Sequence, residues 1–74
     1  SGESADVAKQ VAEYRELISA LGSPESCTEF IGIVKAIEHA GIRAQVRKLL
    51  QEYVVSKGYG FDKKTNAFVA SAAA

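Results

Sequence analysis

Apolar residues recur along most of the chain at alternating steps of three and four positions, the spacing of one face of an α-helix. The pattern falls into three segments, and each segment is followed by a glycine, Gly22, Gly41 or Gly58. The three apolar stripes consist of Val7, Val11, Tyr14, Ile18 and Leu21; Cys27, Phe30, Val34 and Ile37; and Ile42, Val46, Leu49 and Tyr53. The pattern therefore predicts three amphipathic helices that pack their apolar faces together.

Capping residues and glycines indicate where these helices begin and end. Ser4 is placed to cap the first helix, and Gly22 is expected to end it in a left-handed conformation. Ser26 and Glu29 form an S-x-x-E capping box, which predicts the start of the second helix. The second helix has the widest apolar band, so we expect it at the centre of the fold. The expected helices span about 5–21, 26–40 and 42–56.

The C-terminal segment 58–69 is compatible with two structures. As a strand pair, it places Phe61 and Phe68 on either side of a polar turn in which Asn66 takes a left-handed conformation. As a helix, it is capped by Asp62 and runs into the C-terminal alanines, which favour helix. The strand pair is the favoured interpretation.

Length and composition limit the chain to one small domain. With 74 residues, 47% of them hydrophobic, residues 1–74 can form a single core, and the alanine-rich tail 70–74 is expected to fray. The predicted fold class is all-α or mainly α, a three-helix bundle with a short C-terminal hairpin or helix. The single cysteine, Cys27, cannot form an internal disulfide, and no apolar run approaches the roughly 20 residues of a membrane span. We therefore expect an intracellular, reducing compartment, the cytoplasm or nucleus, and no membrane partner.

Charge is balanced overall but divided along the chain. Residues 1–40 contain three basic and seven acidic side chains, a net charge of −4, and residues 41–74 contain six basic and two acidic ones, a net charge of +4. This division can steer a polyanion to the basic half, or it can let two copies associate through opposite patches. Solvated helix faces produce the same division, so charge alone does not choose between these interpretations.

The residues available for catalysis do not form a recognisable set. His39 is the only histidine, and a metal or acid-base site needs companions that this chain lacks. Cys27 belongs to an apolar stripe, which favours a small buried side chain over a reactive thiol. We therefore predict that the protein is not an enzyme and has no catalytic residues, metal site, cofactor or small-molecule substrate.

Two nucleic-acid interpretations remain. The segment Lys57–Phe61 resembles the aromatic and glycine-rich strand of RNA-recognition motifs and cold-shock domains, but those families need a mostly β scaffold. A winged helix-turn-helix instead uses the third helix, with Arg43 and Arg47, and a wing over 58–69. Against it, the turn at 40–42 lacks a polar cap, and the spacing after that turn is one residue short.

A further resemblance covers residues 46–68. Val46, Leu50, Tyr53, Val54, Gly58 and Tyr59 match in order the lissencephaly homology (LisH) motif, a helical dimerisation element. The later part departs from the motif, because Asp62 and Lys63 stand at expected apolar or small positions and Phe68 comes late. The resemblance implies a dimer-forming or protein-binding role for the third helix and Tyr59.

These observations predict a non-catalytic protein-protein interaction or dimerisation module, with a protein partner or a homodimer. The alternative is a winged-helix-like nucleic-acid-binding domain. The expected partner-binding residues are Leu50, Tyr53, Val54, Tyr59, Phe61 and Phe68. The residues expected to contact nucleic acid in the alternative are Arg43, Arg47, Lys48, Lys57, Lys63 and Lys64.

Overall fold

A computed structural model describes residues 2–70 of the chain, with side chains from residue 5 onward. The elements are α1 (Gly2–Ser19), α2 (Pro24–Lys35), α3 (Ala40–Ser56), β1 (Tyr59–Asp62) and β2 (Ala67–Ala70). The two strands form a small antiparallel sheet. The mainly α class and the hairpin at the C-terminus are confirmed. The predicted fraying of the tail concerns residues 71–74, which lie outside the described residues, and residue 70, which belongs to β2.

Helix α3 is the element against which the others pack. It contacts α1, α2 and β1, whereas β2 packs on α2. The reason is its apolar stripe, in which every fourth residue is buried: Ile42, Val46, Leu50 and Val54. The expectation that α2 lies at the centre is wrong, because part of the wide apolar band of α2 faces outward and Ile33 is 47% exposed.

The core joins all three helices. Tyr14 of α1 meets Phe30 of α2 in an edge-to-face contact with ring centroids 6.4 Å apart. The buried residues are Val11 and Ile18 from α1; Cys27, Phe30 and Val34 from α2; Ile37 from the link; and Ile42, Val46, Leu50 and Val54 from α3. This set agrees with the helical stripes of the sequence, except that Leu50 and Val54 are more deeply buried than Leu49 and Tyr53.

The start of α2 differs from the predicted capping box. Ser23 is the N-cap, in extended conformation, and its hydroxyl accepts a hydrogen bond of 3.1 Å from the Ser26 N–H. Pro24 occupies the first helical turn, where its missing N–H costs nothing and its fixed φ suits the helix. The helix therefore begins two residues before Ser26, and the predicted start at Ser26 with Glu29 is wrong.

The position of the cap leads to a direct test. Ser23→Ala is expected to lower the free energy of unfolding by about 1 kcal/mol, because it leaves one N–H at the start of α2 without its partner. Ser26→Ala is the matched control, since the Ser26 hydroxyl bonds only the Ser23 hydroxyl. Urea unfolding of both variants measures the difference. An equal or larger loss from Ser26→Ala would contradict the assignment of Ser23 as the cap.

The connection between α2 and α3 is longer than predicted. α2 ends at Lys35 and α3 starts at Ala40, so the four residues 36–39 join them, and the predicted end of α2 at position 40 is wrong. His39 caps α3, with Nδ1 accepting hydrogen bonds from the N–H groups of Gly41 (3.1 Å) and Ile42 (3.2 Å). Gly41 therefore lies in the first turn of α3 and ends no helix.

Positive backbone φ angles occur at two of the described residues. Gly58 has φ 78° and follows the C-cap Lys57, so a left-handed residue ends α3. Asn66 has φ 54° in the hairpin turn, which confirms its predicted left-handed conformation. Gly22 is not among them, and α1 already ends at Ser19. At the other end, α1 begins before Ser4, so the expected cap lies inside the helix.

A side-chain hydrogen bond connects the hairpin to α2. The Phe68 N–H donates to Thr28 Oγ1 at 2.8 Å, and the same hydroxyl donates to the Pro24 carbonyl at 3.0 Å. Phe68 pairs with Phe61 across the two strands, with ring centroids 5.3 Å apart and an interplanar angle of 71°. The hydrogen bond to Thr28 helps to position the aromatic face of the hairpin beside α3.

Candidate interaction site

An apolar groove lies between α3 and the hairpin. It has a volume of about 590 Å³ and is lined by Gln51, Val54 and Val55 of α3 and by Tyr59, Gly60, Phe61 and Phe68 of the hairpin. We call this feature the hairpin groove. Its lining contains no charged side chain. Apolar clefts of this size are typical of surfaces that accept an apolar group.

Two large apolar side chains in the groove remain in contact with water. Val55 is 75% exposed and Phe61 is 48% exposed. Val55 follows directly after buried Val54, and a step of one residue turns it away from the core. Phe61 shares a sheet face with Tyr59, which packs against the core, but Phe61 extends beyond that contact. The exposed pair is therefore a consequence of how the helix and the hairpin meet.

The predicted partner-binding residues divide into two groups. Leu50 and Val54 are 4% and 5% exposed, so α3 uses them for its own packing, although Val54 also contributes to the wall of the groove. Tyr59 and Phe68 are half-buried and line the groove, together with the more exposed Phe61. The hairpin part of the predicted set is thus brought together.

Tyr53 lies on another side of α3. Its hydroxyl donates to the Leu21 carbonyl, which connects α3 to the link after α1. Its ring also lies 5.5 Å from Lys57 Nζ, a cation-π distance. Among the predicted partner-binding residues, Tyr53 and Leu50 do not line the groove.

Sequence reasoning missed Gln51, Val55 and Gly60 as groove residues. One signal was present for Val55, an apolar residue outside the helical stripe on an otherwise polar face of the third helix. Gln51 and Gly60 carried no signal, because their position in the groove depends on the direction in which the hairpin folds back.

The six basic residues proposed for nucleic acid do not share one surface. Arg43 donates from Nη1 to the Ile37 carbonyl at 2.8 Å and so closes the corner between α2 and α3. Arg47 lines a cleft between α2 and α3, and Lys48 lines a depression between α1 and α3. Lys57 lies over Tyr53. The remaining two, Lys63 and Lys64, are exposed in the hairpin turn.

Cys27 and His39 have structural roles. Cys27 is fully buried, and desolvation raises the pKa of its thiol, which disfavours the reactive thiolate. His39 caps α3 through Nδ1, as described above. Within residues 2–70, no three His, Cys, Asp or Glu side chains are grouped so that they can hold a metal ion.

Burial makes the thiol a measurable probe of the fold. We expect Cys27 to react with an aromatic disulfide reagent at least about 100-fold more slowly in the folded protein than in urea, because reaction requires local opening and a thiolate. The absorbance of the released aromatic thiol measures both rates. A free cysteine peptide is the control for reagent activity. Rapid reaction of the folded protein would show that Cys27 is accessible and would contradict the placement of α2.

Comparisons with known proteins do not indicate a relative. No protein-family model matches the chain, and no significant match was found among curated proteins or solved structures. Within residues 2–70, no helix is long and apolar enough to span a membrane. Function is therefore inferred from the hairpin groove and its surroundings.

Proposed function

We propose that this protein is a non-catalytic protein-interaction module that binds a partner through the hairpin groove. One observation supports this proposal above all: Val55 and Phe61, 75% and 48% exposed, lie in one uncharged groove. Isolated exposed apolar residues are ordinary on protein surfaces, but their convergence in a concave site is typical of binding sites. An aromatic side chain at the centre of an interface is also a frequent energetic anchor.

The burial of Val55 and Phe61 by a partner would supply part of the binding free energy. Covering the exposed parts of Val55 and Phe61 contributes about 2–3 kcal/mol to binding. Micromolar affinity requires about 8 kcal/mol. A partner must therefore make further contacts, to the half-buried Tyr59 and Phe68 or to the backbone.

The proposal is tested with peptides selected from a random ten-residue library displayed on phage. We expect the wild-type protein to enrich peptides whose binding is lost in Phe61→Ser and in Val55→Ser. Leu17→Ser is the matched control, since Leu17 is 53% exposed but lies on α1, away from the groove. Retention of binding by the two groove variants, or equal loss in Leu17→Ser, would rule out the groove as the binding surface.

Self-association is the related possibility raised by the resemblance to the LisH motif. Of the residues that the resemblance implies, Tyr59 lines the groove and the buried Val54 contributes to its wall. Leu50 lies in the core of the single chain, and Tyr53 is bonded to the Leu21 carbonyl on another side of α3. A homodimer would therefore have to form mainly through Tyr59, Phe61 and Phe68. Sedimentation of the wild type and of Tyr59→Ala over a wide concentration range measures this, and a monomer throughout would exclude it.

A winged-helix nucleic-acid-binding function is the second candidate. It is favoured by the order of the elements, by the four-residue link 36–39 with its polar cap at His39, and by Lys63 and Lys64 in the turn of the following hairpin. One objection raised from the sequence, the missing polar cap, is answered by His39, whereas the short spacing from Gly41 to Val46 still counts against this candidate.

Binding of duplex DNA tests this second function. A winged-helix protein should bind with an affinity that falls steeply as salt rises, because Lys63, Lys64 and Arg47 would displace counterions from phosphates. Lys63→Glu combined with Lys64→Glu should weaken that binding, while Phe61→Ser should not. Absence of salt-dependent binding would exclude this function and leave the interaction module.

A further inference from the structure

The two edges of the hairpin sheet are not equivalent. In an antiparallel pair, the N–H and C=O groups of successive residues point alternately toward the partner strand and away from it. The Phe68 N–H donates to Thr28 Oγ1 of α2, so Phe68 is a residue whose backbone groups point away from β1. Helix α2 therefore occupies the outer edge of β2.

The same alternation determines the outer edge of β1. Phe61 pairs with Phe68 and Tyr59 pairs with Ala70, so the backbone groups of Phe61 and Tyr59 also point away from the neighbouring strand. Outside the strand ladder, no hydrogen bond among residues 2–70 uses either N–H group. β1 therefore has an open edge with two donors and two acceptors spaced for another strand.

The hairpin groove opens beside this edge. Its lining joins the β1 backbone at Gly60 to Phe61 and to Val55 of α3. A strand added to β1 lies about 4.8 Å from it and directs alternate side chains toward the same face as Phe61. Unpaired backbone groups and exposed apolar side chains thus lie next to each other. A third strand also stabilises the sheet, because two strands alone are only marginally stable.

Charge indicates what kind of segment fits. The groove itself is uncharged, but the turn at one end of β1 carries the exposed Lys63 and Lys64. Gln51, at the other side of the groove, also lines the cleft that contains Lys35 and Arg47. Residues 41–74 as a whole carry a net charge of +4. An occupant with acidic residues flanking an apolar centre complements this surface.

We propose that the hairpin groove binds an extended segment of a partner protein, which adds to β1 as a third strand. This inference rests on the proposed interaction function and names its ligand: a segment with alternating apolar side chains and acidic flanks. The backbone of Tyr59 and Phe61 supplies the hydrogen bonds, and Val55 and Phe61 receive the apolar side chains.

A second copy of the chain fits this edge less well. Antiparallel pairing of two β1 strands would bring the hairpin turn with Lys63 and Lys64 toward Lys57, at the end of α3 in the second copy, twice by symmetry. Like charges brought close together repel each other and destabilise such a pair. A partner segment with acidic flanks avoids this repulsion, and its charge complements the basic residues around the groove.

The experiment uses peptides selected from the random ten-residue library. We expect the enriched peptides to alternate apolar and polar residues between acidic ends. At saturation, hydrogen exchange of the Tyr59 and Phe61 amides should slow at least about tenfold, because both N–H groups become hydrogen-bonded. The Gly60 amide is the internal control, since it already pairs within the hairpin. Lys63→Glu combined with Lys64→Glu should raise Kd at least about fivefold.

The outcomes separate this inference from the proposed function. Peptides that lose binding in Phe61→Ser, but have helical periodicity and leave the Tyr59 and Phe61 amides unprotected, would overturn strand addition and leave the groove as a docking site. If no peptide depends on Phe61, both fail. Protection of the same amides by self-association, with a dimer in sedimentation, would overturn the acidic partner in favour of a second copy.

Discussion

Phe30→Ala is expected to lower the free energy of unfolding by about 3–5 kcal/mol. Phe30 is 3% exposed, and its ring packs at 80° to that of Tyr14, 6.4 Å away between centroids. Alanine removes that edge-to-face contact and leaves a cavity between α1 and α2 that a small core cannot fill. A domain of 74 residues has a total stability of about 5–10 kcal/mol, so this one change removes a large part of it.

A matched control for this prediction lies in the same helix. Ile33 is 47% exposed, and Ile33→Ala is expected to change the free energy of unfolding by less than about 1 kcal/mol. Urea unfolding followed by circular dichroism measures both variants against the wild type. Similar losses from the two substitutions would show that the inner and outer faces of α2 have been assigned wrongly.

Thr28→Val is expected to lower the free energy of unfolding by about 1–3 kcal/mol, although valine has nearly the same shape as threonine. The Thr28 hydroxyl accepts the Phe68 N–H at 2.8 Å and donates to the Pro24 carbonyl at 3.0 Å. Valine leaves the half-buried Phe68 N–H without a partner, and the cost is that of a lost hydrogen bond together with its desolvation. The loss should appear first in the hairpin, because this bond connects β2 to α2.

Thr65→Val provides the control, since Thr65 lies exposed in the hairpin turn and its hydroxyl makes no hydrogen bond to another of residues 2–70. Hydrogen exchange should show faster exchange of the hairpin amides in Thr28→Val and unchanged exchange in α3. The same variant should bind groove-selected peptides more weakly, because the hairpin forms one wall of the groove. Wild-type stability together with an unchanged hairpin would contradict the role given to Thr28.

Local patterns in the sequence were enough to predict several parts of this protein. The apolar spacing predicted three helices and most of the core, because the period of a helix determines which side chains share a face. Asn66 was recognised as a left-handed position, since few residue types adopt a positive φ at low cost. Phe61 and Phe68 were correctly placed on facing strands.

Helix limits were predicted less well, because several residues near each end can serve as caps. Ser23 and Ser26 are both acceptable N-caps, and the choice followed from Pro24, which fits the first turn. Between α2 and α3, His39 is the N-cap of α3, and Gly41 therefore lies inside the helix. Competition of this kind is decided by which set of hydrogen bonds the packed helices allow.

The amino-acid sequence by itself determined that the chain forms amphipathic helices around one core, and it favoured an aromatic hairpin over a helix for 58–69, because these features depend on residues close together along the chain. Only the tertiary structure decided that α3 is central, that Thr28 holds the hairpin, and that Val55 meets Phe61 in a groove. Thr28 and Phe68 are 40 positions apart, and no local pattern indicates which distant groups become neighbours once the helices pack.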